Sequence, residues 1–86
     1  MTMNDWFVYI VRCADDSLYT GITKDVDRRI QEHNAGDKLA AKYTRARLPV
    51  VLVHEETCAS RSAATKREIE IKKLGRKDKN ILLSKK

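Results

Sequence analysis

Trp6-Phe7-Val8-Tyr9-Ile10-Val11-Arg12-Cys13 is the stretch on which the fold turns. Its aromatic and β-branched side chains suit a pleated surface, and it reads as a strand buried over most of its length. Asp15-Asp16-Ser17 follow as turn formers and Leu18 to about Thr23 gives a second strand, so the two form a hairpin. Whether Tyr9 and Tyr19 share a face of the sheet depends on the loop. A three-residue loop of Asp15-Asp16-Ser17 pairs Cys13 with Tyr19 and brings both phenols to one side, whereas a loop of two or four residues separates them unless a bulge intervenes.

Beyond the hairpin a helix begins around Asp25, with acidic residues in its first turn and Asn34-Ala35-Gly36 as its stop. Residues 37 to 48 read as irregular or briefly helical. Pro49 then precedes Val50-Val51-Leu52-Val53, a short strand expected to end near Thr57. Ser60 suits the N-cap of a helix running to about Leu74, where Gly75 fits a C-cap, and Arg76 to Leu83 gives a further short basic helix. The order is β-β-α-β-α-α, an α+β fold with a small sheet covered by helices, and the 86 residues are expected to form one domain.

No apolar run approaches the roughly 20 residues of a membrane span, and the start lacks a signal-peptide pattern, so a cytoplasmic protein is the default expectation. Cys13 and Cys58 suit packed, reduced thiols better than a metal cluster, and His33 and His54 form no ligand pair by spacing. The net charge of +6 is unevenly placed: residues 61 to 86 hold ten basic and three acidic side chains, residues 1 to 60 eight and nine. That asymmetry points to a polyanion held by Lys72, Lys73, Arg76, Lys77 and Lys79, with displaced counterions favouring the contact. A basic face that only keeps the protein soluble is the alternative.

Two helices carry polar residues where apolar ones would serve a core. Val26, Arg29, Ile30 and His33 have the spacing of an inward face, and two of the four are polar. They can aim a fixed charge and a donor at a phosphate, though the spacing alone favours both side chains snorkelling past the sheet edge to water. In the third helix Glu68 and Glu70 border an apolar stripe of Ala63, Ala64, Ile71 and Leu74. Either glutamate can ligate a divalent ion through oxygen, or simply pair along the helix, Glu68 with Lys72 or Glu70 with Lys66. Periodicity does not choose between them.

Val8-Tyr9-Ile10 resembles the first tripeptide of the GIY-YIG nucleases, and Tyr19-Thr20-Gly21 resembles the second. Arg29 lies eight residues after Gly21, where that family carries its helix arginine; His33 follows one turn later, and Glu68 with Ile71-Lys72 looks like the family's metal-binding glutamate. The segments Tyr19 to Arg29 and Tyr43-Thr44-Arg45-Ala46-Arg47-Leu48-Pro49-Val50 are similar to the small stand-alone members. The resemblance covers nearly the whole chain. It implies a three-stranded, mainly antiparallel sheet flanked by helices and a metal-dependent DNA endonuclease or structure-specific DNA hydrolase, acting in repair or recombination. It further implies catalytic Tyr9, Tyr19, Arg29, His33 and Glu68, with Glu68 holding Mg²⁺ or Mn²⁺. A tyrosine takes the proton of, or orients, the attacking water, and Arg29 stabilises the phosphoryl oxygens. With no separate DNA-reading module, low sequence specificity or a targeting partner is expected. Two positions depart from active relatives: Ile22 stands where some place a lysine, with Lys24 a candidate substitute, and Asn80 is the only late asparagine. These departures point to the alternatives, a nucleic-acid-binding module that does not cleave or an interaction subunit of a larger nuclease complex.

Overall fold

In the computed structural model, which describes residues 5–36 and 38–84, seven elements follow one another: β1 (Trp6–Arg12), β2 (Leu18–Thr23), α1 (Val26–Ala35), α2 (Lys42–Arg45), β3 (Val51–Cys58), α3 (Arg61–Lys73) and α4 (Arg76–Ser84). The strands form one antiparallel sheet in the order β2-β1-β3. Central β1 is covered on both faces, which is why Val8 to Val11 are all buried and why its sequence shows an unbroken apolar run. Val8 and Ile10 pack with Ala64 and Ile71 of α3 and with Leu82 and Leu83 of α4. Tyr9, Val11 and Cys13 face the other way, onto Val26, Ile30, Leu48 and Val50. Both cysteines are free thiols, Cys13 buried and Cys58 half-buried.

The hairpin loop lies one residue earlier than the turn chemistry suggested. Cys13 pairs with Ser17, its amide donating to the Ser17 carbonyl at 2.8 Å, and Ala14-Asp15-Asp16 form the loop, closed by the Asp16 amide on the Cys13 carbonyl at 2.9 Å. Asp16 takes the left-handed conformation (φ 72) that ends such a three-residue loop. Tyr19 therefore pairs with Val11 rather than Cys13, and Tyr9 with Gly21. The loop still has three residues, so the expected parity holds and both tyrosines lie on the α1 side. Between β1 and β3 the register slips by one residue, Ile10 opposing His54 and Val11 opposing Leu52. The extra residue, Val53, lets adjacent β3 side chains serve both cores, Leu52 that of Tyr9 and Val53 that of Ile71.

The helix ends follow the sequence with one exception. Asp25 caps α1 by accepting from the Arg28 amide at 3.1 Å, Gly36 closes it in the left-handed region, and Ser60 caps α3 through the Ala63 amide at 3.1 Å. Gly75 is not the C-cap of α3. That helix ends at Leu74 in an extended conformation, and the Gly75 carbonyl instead accepts from the Lys79 amide at 3.0 Å, opening α4. A fork of two hydrogen bonds ties α3 to β3, Arg67 Nε to Glu56 Oε1 at 2.8 Å and Nη2 to Oε2 at 3.0 Å. This fork and the seats of Ala64 and Ile71 fix the rotation of α3 about its axis. The Ile71→Ala variant is expected to lose about 2–5 kcal/mol of stability in urea unfolding, while Ile69→Ala on the same helix, where the isoleucine is 48% exposed, changes it by less than about 1 kcal/mol.

Candidate active site

Tyr9 projects from β1 across β2, and Gly21 is what lets it do so. A Cβ added at Gly21 would stand 2.6 Å from the Tyr9 hydroxyl and 2.8 Å from its Cζ, inside any tolerable contact. The strand glycine thus opens a channel for the phenol, which is 1% exposed. Its hydroxyl meets His33 Nε2 at 2.8 Å. On the other side of the ring, Nδ1 lies 2.8 Å from Thr44 Oγ1, and Thr44 donates its own proton to the Ala41 carbonyl at 3.1 Å.

The direction of this chain follows from proton counting. Thr44 has one hydroxyl proton and spends it on Ala41, so it receives the proton of Nδ1. Nε2 is then a bare acceptor, and Tyr9 donates to it. Burial, together with the nearby Arg29 charge, holds the His33 pKa below its ordinary 6.5, in keeping with a neutral ring. The snorkelling expected of His33 from helix spacing is overturned: its side chain is fully buried, because two hydrogen bonds replace the water it would otherwise seek.

Tyr19 packs edge-on to the His33 ring at 5.5 Å and stacks on Tyr43 at 5.9 Å. The Arg47 guanidinium lies 4.0 Å from the Tyr43 ring centroid, donates to the Tyr43 carbonyl at 2.8 Å and to Asp15 Oδ2 at 3.0 Å. Arg47 so clamps the α2 turn to the hairpin loop, holding Thr44 against His33. None of Thr44, Tyr43, Arg47 or Asp15 stood out as site residues in sequence; the signal for the first three is the Tyr43-Thr44-Arg45-Ala46-Arg47 segment itself, and Asp15 had none beyond its turn chemistry.

Residues 5–81 match the GIY-YIG catalytic domain. The chain belongs to the GIY-YIG family. It is 58% identical over 78 residues to a UPF0213 protein of Desulfotalea psychrophila, covering 91% of this chain and 70% of that one. It is 59% identical over 81 residues to a UPF0213 protein of Haloquadratum walsbyi, covering 93% and 89%. Among solved structures it is similar to the solution NMR structure of a UPF0213 protein from Bacillus halodurans, with TM-score 0.60, 46% identity and 93% and 83% of the two chains covered. The protein EF2693 from E. faecalis gives 0.62, 42%, 95% and 88%.

Arg29, Tyr19 and Glu68 act on the same phenol through charge. Burial raises the Tyr9 pKa to about 12; a hydrogen bond and the positive charge of Arg29 oppose that rise, while Tyr19 and the Glu68 carboxylate add to it. Arg29, half-buried, donates to Glu32 Oε1 at 2.9 Å and to the Leu39 carbonyl at 2.6 Å. Its burial favours the neutral form, but the hydrogen bonds to Glu32 and Tyr9 outweigh this and its pKa is raised, so it is a fixed cation. Glu68 lies on α3, on the far face of the sheet, and adds only the smallest share to the rise of the Tyr9 pKa; its side chain is 20% exposed and pairs with Lys72 at 3.1 Å. Glu70 is exposed and pairs with Arg67 at 3.2 Å, not with Lys66.

Ile22 packs into the α3 core with Val8 and Ile10, away from Tyr9. Lys24 does not take a place beside Tyr9; its Nζ sits 5.8 Å from the ring of Trp6, which belongs to the α3-side core. Asn80 lies with Arg12, Asp16, Leu18 and Arg76 at the end of the hairpin, also on the α3 side. Among the described residues no three His, Cys, Asp or Glu side chains gather as a metal cage.

Two outcomes follow from the close approach at Gly21. Gly21→Ala is expected to displace the Tyr9 ring, costing about 1–3 kcal/mol in urea unfolding, and to move the ¹⁵N resonance of His33 Nε2 as its donor withdraws. Gly75→Ala meets nothing within 4 Å and is expected to be neutral or stabilising by about 1 kcal/mol or less. The buried His33 ties stability to pH. Its folded pKa is below the unfolded value of about 6.5, so its contribution is complete above 6.5 and declines as pH falls through the folded pKa. Unfolding midpoints measured from pH 8 to 4 should show this loss in the wild type and lack it in His33→Ala.

Proposed function

We propose that this chain is a metal-dependent phosphodiesterase acting on DNA, in which Tyr9 and His33 move the proton of an attacking water. The observation that carries the reading is the buried Tyr9–His33–Thr44 chain with its fixed direction. A core has no need of it, since apolar side chains of similar shape would pack there with little or no loss of stability.

The raised Tyr9 pKa decides the order of events. At about 12, roughly one phenol in 10⁵ is ionised at pH 7, too few for a phenolate formed beforehand to do the work. Tyr9 instead accepts the water's proton while passing its own to His33 Nε2. The water oxygen bonds to phosphorus, the bond from phosphorus to the leaving oxygen breaks, and that oxygen takes a proton from solvent. His33, briefly an imidazolium beside the Arg29 charge, passes its proton back to Tyr9 as Tyr9 releases the water's proton to solvent, and it does so readily for the same electrostatic reason that lowers its pKa. Thr44 keeps Nε2 unprotonated at the start of each cycle. Arg29 supplies fixed donors to the phosphoryl oxygens, and Tyr19 holds the imidazole edge.

Glu68 is the residue that would hold the divalent ion. One carboxylate suits Mg²⁺ or Mn²⁺, which keep waters and draw further oxygens from a phosphate substrate; a zinc-type cage needs ligands that do not gather here. When bound, such an ion supplies charge stabilisation to the leaving oxygen. A second reading, a module that binds nucleic acid without cutting it, is favoured by Ile22 in place of a lysine and by the engagement of Glu68 with Lys72.

Incubation with branched, flapped, single- and double-stranded DNA, with Mg²⁺ or Mn²⁺ titrated for every variant, separates the two readings. Tyr9→Phe is expected to lower the cleavage rate by about 10²–10⁴-fold and Arg29→Ala by about 10²–10³-fold. Glu68→Gln should lose cleavage and keep DNA binding, while Glu70→Gln changes stability by about 0.5 kcal/mol or less and leaves the rate nearly intact. Because the relay needs neutral His33, kcat/KM should be flat around pH 7 and fall at a midpoint below 6.5. Binding without cleavage of any of these DNAs under either metal establishes the second reading instead.

A further inference from the structure

On the sheet face opposite Tyr9, the hairpin end and the start of α4 enclose a cleft of about 310 Å³ that the reaction above does not use. Arg12, Asp16, Leu18, Arg76 and Asn80 line it. A smaller hollow of about 170 Å³ adjoins it, sharing Leu18 and Arg76 and adding Lys79. The two form one trough with Leu18 as its apolar floor. Three cations from two elements converge there against one carboxylate. Arg12 meets that carboxylate, Asp16, at 3.6 Å, but both are well exposed, and such a pair holds its partners weakly. Arg76 and Lys79 make no ion pair among the described residues. Guanidinium groups, an ammonium and the Asn80 amide are the donor set that phosphate oxygens take.

The position of the trough is as informative as its charge. Leu18 and Gly21 lie three residues apart on β2, the edge strand, so the trough and the Tyr9 channel sit about 10 Å apart along the same edge, on opposite faces. We infer that this trough is a second phosphate seat, gripping the nucleic-acid backbone beside the phosphate presented to Tyr9. Its placement next to a reacting phosphate rests on the proposed nuclease reading; its affinity for the backbone does not. The seat also sorts the basic residues that the sequence offered as a group. Arg76 and Lys79 belong to it and Arg12 joins them, whereas Lys72 is engaged with Glu68 and Lys73 and Lys77 lie outside the lining.

Two double variants that remove the same charge test the seat: Arg12→Gln with Arg76→Gln, and Lys73→Gln with Lys77→Gln. Binding of each to a fluorescein-labelled DNA duplex is followed by anisotropy between 50 and 300 mM salt in EDTA, where cleavage plays no part. The trough pair is expected to flatten the slope of log K against log salt by about 1.8, or 0.9 for each lost phosphate contact, and the outer pair by less than half of one contact. Equal effects of the two pairs, or a larger one from the outer pair, overturn the seat and leave the nuclease reading standing. Trough-dependent binding by a protein that cuts no DNA upholds the seat and removes the reading. If the Arg12 variant unfolds, as judged by far-ultraviolet circular dichroism, Arg76→Gln with Lys79→Gln makes the same comparison on α4, where Arg76 is exposed and Lys79 half-buried.

Discussion

The hydrogen bond from the Tyr9 hydroxyl to His33 Nε2 is the contact around which the rest of the α1 side is arranged. It requires a central strand to send a phenol across its neighbour, a glycine in that neighbour to let it pass, a helix that turns a histidine fully inward, and a turn that supplies the histidine's second partner. Each requirement falls on a different element. The register of the hairpin, the capping of α1 by Asp25 and Gly36, and the Arg47 clamp on α2 all serve this one alignment. Removing any partner leaves a polar group stranded in a dry interior, and so the chain is held as a unit.

Much of this was legible in the sequence where local rules govern. The unbroken apolar run of β1 and the caps at Asp25, Gly36 and Ser60 follow from side-chain chemistry within a few residues, whereas the parity that puts Tyr9 and Tyr19 together depended on a loop length the sequence left open. The position of the loop was not legible either, because Asp15-Asp16-Ser17 and Ala14-Asp15-Asp16 have similar turn chemistry; the left-handed Asp16 and the Arg47 contact to Asp15 select the second. Gly75 misled for a related reason: a glycine between two helices can end one or open the other, and only the packing of α4 decides. The inward face of His33 was legible from helix spacing, but its staying buried instead of snorkelling was not, since its partner Thr44 lies eleven residues on, in a turn of four residues with no amphipathic pattern.

The electrostatics of the site contain an opposition that burial creates. Taking Tyr9 out of water raises its pKa, and Arg29 offsets only part of that rise; the same burial lowers the pKa of His33. Both shifts keep the pair neutral, phenol and imidazole, at physiological pH. A site built to store a phenolate would have the reverse bias, with the cation closer and the acid more exposed. The neutral pair suits a proton that passes through on demand, and it also suits folding, because no uncompensated charge is left in the interior.

In the proposed reading, two faces of one edge strand divide the labour of binding. On the α1 side β2 makes room at Gly21 for the buried Tyr9 ring, and on the α3 side it ends against Arg76 and Lys79. Glu68 lies in the α3 layer, where the rotation of the helix is fixed by the Arg67–Glu56 fork one residue away, and its carboxylate adds only the smallest share to the rise of the Tyr9 pKa. A lone carboxylate suffices for a hydrated divalent ion only if it is held still. In the proposed reading the fork provides that stillness for Glu68 from the sheet itself.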